Sequence, residues 1–291
     1  MNTLKTIVLM GMLTALIVAI GGLLGGRDGL IVAFFFAVAT NVFSYWFSAP
    51  MALAMSRAQP ISAAEAPELY DIVGRLAERA KIPMPTVYLI DDDSPNAFAT
   101  GRDPAHSAIA VTRGITQLLT EVELEAVLAH ELGHVRNRDI LISTIAAVLA
   151  GVVTTIAHYG MYFGTSYGSS YSSGSDDNRP PNPIFVLLMI ILAPIAASLI
   201  NLGISRSREF EADATGAHLC GKPLALASAL AKIEKLSQFR PMTAANPALS
   251  SLYIAQPNQA GWLMNLFSTH PPMLERIIRL QEISEKMSTQ G

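Results

Sequence analysis

The chain has 291 residues, of which 51% are hydrophobic and 15% charged. Soluble domains carry about 25% charged residues, so this composition excludes an ordinary soluble protein and points to a bilayer. A net charge of −3 without a basic run excludes a nucleic-acid partner, and the single cysteine, Cys220, excludes an intrachain disulfide.

Residues 6–26 carry no charge and are long enough to span a membrane. A cleaved signal peptide is the competing reading, disfavoured because a second uncharged run, 29–56, follows at once. Arg27-Asp28 is a polar break and Tyr45-Trp46 an interfacial anchor, so residues 1–56 read as a transmembrane hairpin. Charges return over 57–139. There, Leu69, Ile72, Val73, Leu76 and Ala80 predict a helix over 68–81. Residues 86–90 predict a buried strand, and 96–99 and 107–112 two more. Asp91-Asp92-Asp93 reads as a solvated loop, because the spacing of a calcium loop is missing.

Residues 140–163 form a third apolar run, with His158 as an interfacial imidazole rather than a ligand. Residues 164–183 read as an external loop and 184–204 as the fourth run, making 140–204 a second transmembrane hairpin. Beyond it, 205–220, 224–239 and 271–287 predict helices in a second soluble part, 205–291. The last has Leu274, Ile277, Ile278, Leu280 and Ile283 as its apolar set. Cys220 reads as a small buried residue before a Gly221 C-cap, and His106 and His218 as surface or packing residues. Lys5, Arg57, Arg136, Arg138, Arg206 and Arg208 flank the runs on one side, against Arg27 and Arg179 on the other. The positive-inside rule then places both termini and both soluble parts in the cytoplasm. The expected fold is a mainly α membrane protein with four transmembrane helices and a cytoplasmic domain containing a small β-sheet.

The chemistry centres on His130-Glu131-Leu132-Gly133-His134, the His-Glu-x-x-His pattern of zinc hydrolases. Thr120 and Glu123 predict a capping box, and Leu124, Val127, Leu128, Leu132 and Val135 give the helix its apolar stripe. On that helix both imidazoles share a face, and Glu131 projects about 100° away from His130. A catalytic zinc needs a third protein ligand. Glu209 is the candidate, with Asp213 one turn later to hold a ligand imidazole and Glu211 pointing away. The competing reading is a solvated charged helix in which Arg206 and Arg208 pair with these acids. The third run begins just after His134 and the fourth ends just before Glu209, so two antiparallel spans would bring the motifs to one depth.

With residues 205–213 (Ser-Arg-Ser-Arg-Glu-Phe-Glu-Ala-Asp), Asn96-Ala97-Phe98 and Thr269-His270-Pro271-Pro272, the chain resembles the HtpX family of membrane zinc metalloproteases, relatives of the CAAX prenyl proteases. The resemblance covers essentially the whole chain. It implies a gluzincin-like protease with one zinc ion on His130, His134 and Glu209, Glu131 as general base, and Asp213 behind the ligands. In that chemistry Glu131 takes a proton from water and returns it to the leaving amine. His270 and Asn96 are candidates to stabilise the oxyanion. His270 also fits as a residue ahead of a helix N-terminus, and Asn96 as a turn cap. The strand near Ala97 is placed to pair with an extended substrate. The implied substrates are misfolded or damaged membrane proteins, cleaved on the cytoplasmic side of a bacterial or archaeal inner membrane. A prenylated peptide is the alternative substrate, opposed by the span count. A scaffold with structural zinc is the non-enzymatic alternative, opposed by Glu131. The sequence does not define the oligomeric state.

Overall fold

The computed structural model describes residues 2–148, 206–237, 239, 252–254 and 271–290. The expectations for residues 149–204, including His158 and the fourth apolar run, and for His270 lie outside the described residues.

The first helix, α1 (Asn2–Met55), reverses at Gly26, whose φ of 58° and ψ of −138° suit a residue without Cβ. Its limbs lie antiparallel. Asn41 Nδ2 donates to Thr14 Oγ1 at 2.7 Å and to the Met10 carbonyl at 3.3 Å. A Cβ on Gly21 would lie 2.2 Å from that of Ala33, so the limbs touch where small residues permit. The reversal falls one residue before the expected Arg27-Asp28 break. Within α1, residues Gly25–Met55 form the one helix among the described residues long and apolar enough to cross a membrane. Phe34, Phe35, Phe36, Phe43 and Phe47 are exposed along it.

A four-stranded sheet follows, with order β1-β2-β4-β3: β1 (Gln59–Pro60), β2 (Thr86–Ile90), β3 (Ala97–Gly101) and β4 (Ser107–Thr112). β2 and β4 are parallel, while β1 and β3 add antiparallel at the two edges. All of β4 is buried, as is usual for a strand covered on both faces. In the Asp91–Asp93 loop the two outer acids are exposed, as expected of a solvated loop. Asp92 is buried and its Oδ1 accepts from the Ser94 amide at 2.8 Å, while Asp91 and Asp93 pair with Arg113.

Helix α2 (Pro67–Ala80) packs its Leu69, Ile72, Val73 and Leu76 face into the main core. A short α3 (Arg113–Leu118) leads to α4 (Glu121–Arg136), whose N-terminus carries the full Thr120/Glu123 capping box. α5 (Arg206–Cys220), α6 (Pro223–Ser237) and α7 (Met273–Gln290) complete the described domain. Cys220 is buried and free, and Gly221 closes α5 with a φ of 69°. α7 packs Ile277, Leu280 and Ile283 of the expected stripe on the core but not its other two residues. Leu274 and Ile278 are exposed, while Arg276 and Leu280 are fully buried.

Small residues set the contact between α4 and α5. A Cβ on Gly216 would lie 2.7 Å from the His130 amide nitrogen, and one on Gly133 would lie 3.1 Å from the Ala212 carbonyl oxygen. Backbone lies against backbone at that crossing, so an added methyl must push the helices apart. Gly216→Ala is expected to destabilise the protein by about 1–3 kcal/mol through overpacking, and Gly133→Ala by less. Chemical unfolding of the detergent-solubilised variants measures both.

Candidate metal centre

α4 supplies His130, Glu131 and His134, and α5 supplies Glu209 and Asp213. The two Nε2 atoms of His130 and His134 lie 3.2 Å apart. Glu209 brings one carboxylate oxygen to 3.8 Å from His130 Nε2 and the other to 3.5 Å from His134 Nε2. His130, His134 and Glu209 each offer a ligand atom, all within 4.8 Å of one another.

Each imidazole is held from behind by a carboxylate. Asp213 Oδ1 lies 2.9 Å from His130 Nδ1, and Asp139 Oδ2 lies 3.1 Å from His134 Nδ1. With both Nδ1 atoms so engaged, both Nε2 atoms point to the shared centre. Tetrahedral ligands at a metal–nitrogen distance near 2.0–2.1 Å stand about 3.3 Å apart, so the spacing of the two nitrogens fits a zinc-sized ion. The donor set is also that of an open catalytic site, with three protein ligands and one position left over.

Glu131 is buried, and its Oε2 accepts from the Ala99 amide of edge strand β3 at 2.8 Å. Asn96 precedes that strand. It is buried, its Oδ1 accepts from the Ala97 amide at 3.1 Å, and its amide donates to Thr112 Oγ1 at 2.8 Å. The Ala97 carbonyl faces away from β4, on the same edge as the Ala99 amide, and accepts from the Ile254 amide at 3.3 Å. The helix bearing Glu209 is not solvated on this face. Glu209, Asp213 and Arg208 are buried, whereas Glu211 and His218 are exposed.

Two residues of the centre escaped the sequence reading. Asp139 follows α4 by way of Arg138, whose φ of 58° turns the chain so that the Asp139 amide reaches the His134 carbonyl at 3.3 Å. Its only sequence signal is an acid five positions after the second histidine. Arg276 is fully buried on α7. Its Nε and Nη2 donate to the two Asp213 carboxylate oxygens at 2.8 and 2.7 Å, and Nη1 lies 3.4 Å from Glu209 Oε2. A lone arginine inside an amphipathic repeat gives no such signal.

These charges set the protonation of the metal-free centre. Burial, the Arg276 charge and the neighbouring His134 lower the pKa of His130, against the pull of Asp213. Burial also opposes charge on His134, but Asp139, Glu209 and Glu131 outweigh it and raise the group to about 10. Burial and Glu209 raise Glu131 to about 8, against the charges of His134 and Arg276 and the Ala99 hydrogen bond. Burial would raise Asp213, yet Arg276 and His130 hold it below the usual carboxylate range.

A buried Glu131 beside two imidazoles and a carboxylate is the arrangement that a metal-dependent hydrolase requires. Residues 63–284 match Peptidase family M48. A protease HtpX homolog of Ralstonia nicotianae is 50% identical, covering 98% of this chain and 97% of that protein. One from Methylibium petroleiphilum is 50% identical over 96% of each chain. The crystal structure of S. mikatae Ste24p shares the fold with a TM-score of 0.52 at 19% identity, and covers 96% of this chain. This chain spans 65% of that one. The chain belongs to peptidase family M48, on its HtpX branch, and is a metallo-endopeptidase.

The two raised groups have a common consequence for the metal-free protein. Glu131 favours its protonated form, so its contribution is complete below pH 4.5 and is lost as pH rises to about 8. His134 contributes fully below pH 6.5 and loses its contribution as pH rises through about 10. The melting temperature in chelator should therefore fall from pH 5 to pH 9. Glu131→Gln, permanently neutral, should lose less than the parent between pH 5 and 8. Equal slopes in thermal unfolding would contradict the assignment.

Proposed function

We propose that this chain is a membrane-embedded, zinc-dependent endopeptidase that hydrolyses peptide bonds in misfolded or damaged membrane proteins at the cytoplasmic face of a bacterial or archaeal inner membrane. One zinc ion is held by His130, His134 and Glu209, with Asp213 orienting His130. When bound, the ion supplies Lewis acidity to the scissile carbonyl and to a water molecule. Glu131 takes a proton from the attacking water and passes it to the leaving nitrogen. Its place between the imidazoles and the Ala99 amide suits that role. His270 and Asn96 are the proposed oxyanion donors, and the β3 edge the proposed track for an extended substrate.

One observation carries the membrane part of this reading: the apolar helix ends against the catalytic strand. Arg102, just after β3, stacks its guanidinium 4.5 Å from the Trp46 ring of α1. Ser56, one residue past α1, is buried and accepts from the Tyr253 hydroxyl at 3.1 Å. Tyr253 in turn packs edge-on against Phe98 of β3, with centroids 5.4 Å apart. A substrate bond brought to Glu131 then lies close to the membrane surface. Four spans with both termini cytoplasmic accord with the distribution of Lys and Arg.

Glu131→Gln is expected to retain one zinc per chain by metal analysis while losing at least about a hundredfold of its cleavage of an unstructured test protein. Unchanged cleavage would overturn the reading.

A further inference from the structure

Arg276 presents a puzzle. A guanidinium buried against a dication site repels the ion, yet this one is fully buried and lies 3.3 Å from His130 Nε2. Its contacts supply the reason. The planar fork meets the Asp213 carboxylate oxygen for oxygen, through Nε at 2.8 Å and Nη2 at 2.7 Å. The oxygen bound by Nη2, Oδ1, is the one that holds His130 Nδ1 at 2.9 Å. The third nitrogen, Nη1, faces Glu209 Oε2 at 3.4 Å. Glu209 and Asp213 stand one turn apart on α5, so a single planar group from α7 spans both. A lysine would carry the charge but could not form the fork.

We infer that Arg276 is a positioning residue for the metal centre: its guanidinium fixes the Asp213 carboxylate, and through it the His130 ring, while holding Glu209 in its ligating orientation. The inference rests on the metal site proposed above. Two effects oppose each other when Arg276 is removed. Loss of a positive charge tightens metal binding, and loss of ligand orientation weakens it. Partners behind the ligands typically contribute 10–100-fold in metal affinity, and the orientation effect dominates here because the guanidinium touches one ligand, Glu209, and the support of another, Asp213 behind His130.

The test is zinc affinity, read by competition with a chromophoric chelator, for the full-length wild type, R276Q, R276K and R279Q. Arg279 lies on the same helix and stacks over Phe210 at 3.5 Å, so R279Q reports on α7 docking alone. Both Arg276 variants should bind zinc at least about tenfold more weakly. Their cobalt(II) forms should show shifted visible absorption, and R279Q should match the wild type. Wild-type affinity and spectrum in R276K, which keeps only the charge, would overturn the inference, as would unchanged affinity in R276Q. A wild type that binds no zinc would overturn the metal site itself, and this role with it. One further measurement needs no variant. Zinc added to the wild type should slow amide exchange around Arg276 on α7, and unchanged exchange there would overturn the coupling.

Discussion

The metal centre depends on how closely α4 and α5 approach. Glu209 and Asp213 lie far along the chain from His130 and His134. Their side chains reach the same point only because Gly216 lies against the His130 backbone and Gly133 against Ala212. Larger residues at the crossing would hold the helices at an ordinary packing distance and leave the carboxylates short of the imidazoles. The small residues belong to the chemistry as much as the ligands do, although none touches a ligand atom.

That proximity concentrates charge away from water. Glu131, His130, Asp139, Glu209, Asp213, Arg208 and Arg276 are all buried, with His134 alone partly exposed. Burying isolated charges costs several kcal/mol each, so such a group persists only as a mutually compensated set. The pairing pattern divides the work. Asp139 serves His134, Asp213 and Arg276 serve His130, and Glu131 is answered by a backbone amide of β3. Burial and the Arg276 charge disfavour a proton on His130, whereas Asp139 and Glu209 favour one on His134, which suits the short contact between their Nε2 atoms with His134 as donor. A divalent ion then competes with a proton on His134, so loading depends on pH.

What could be read from the sequence was whatever is encoded locally. The capping box of α4, the strand periods, the one-turn spacing of His130 with His134 and of Glu209 with Asp213 all depend on neighbours within a turn or two. Asp139 was missed because its role depends on the left-handed Arg138, a conformation that residue type does not announce. Arg276 was missed because it interrupts an apparent apolar stripe. Of the expected stripe, Ile277, Leu280 and Ile283 do pack on the core, but Leu274 and Ile278 are exposed and Arg276 is buried in the same face. The need for a cation between two buried carboxylates outweighed hydrophobic periodicity, and that need arises only once α5 and α7 are folded together.

The placement of Glu131 follows from the same packing. Glu131 leaves α4 toward the sheet edge, where the β3 backbone offers amides and carbonyls unused by the β4 ladder. The edge is in turn tied to the apolar helix, through Arg102 on Trp46 and through the Phe98–Tyr253–Ser56 chain. Glu131 is therefore linked mechanically to the membrane-proximal end of α1 through one strand, whereas the ligands are linked to α5 and α7. Glu131 and the His130, His134 and Glu209 cluster thus answer to different parts of the fold.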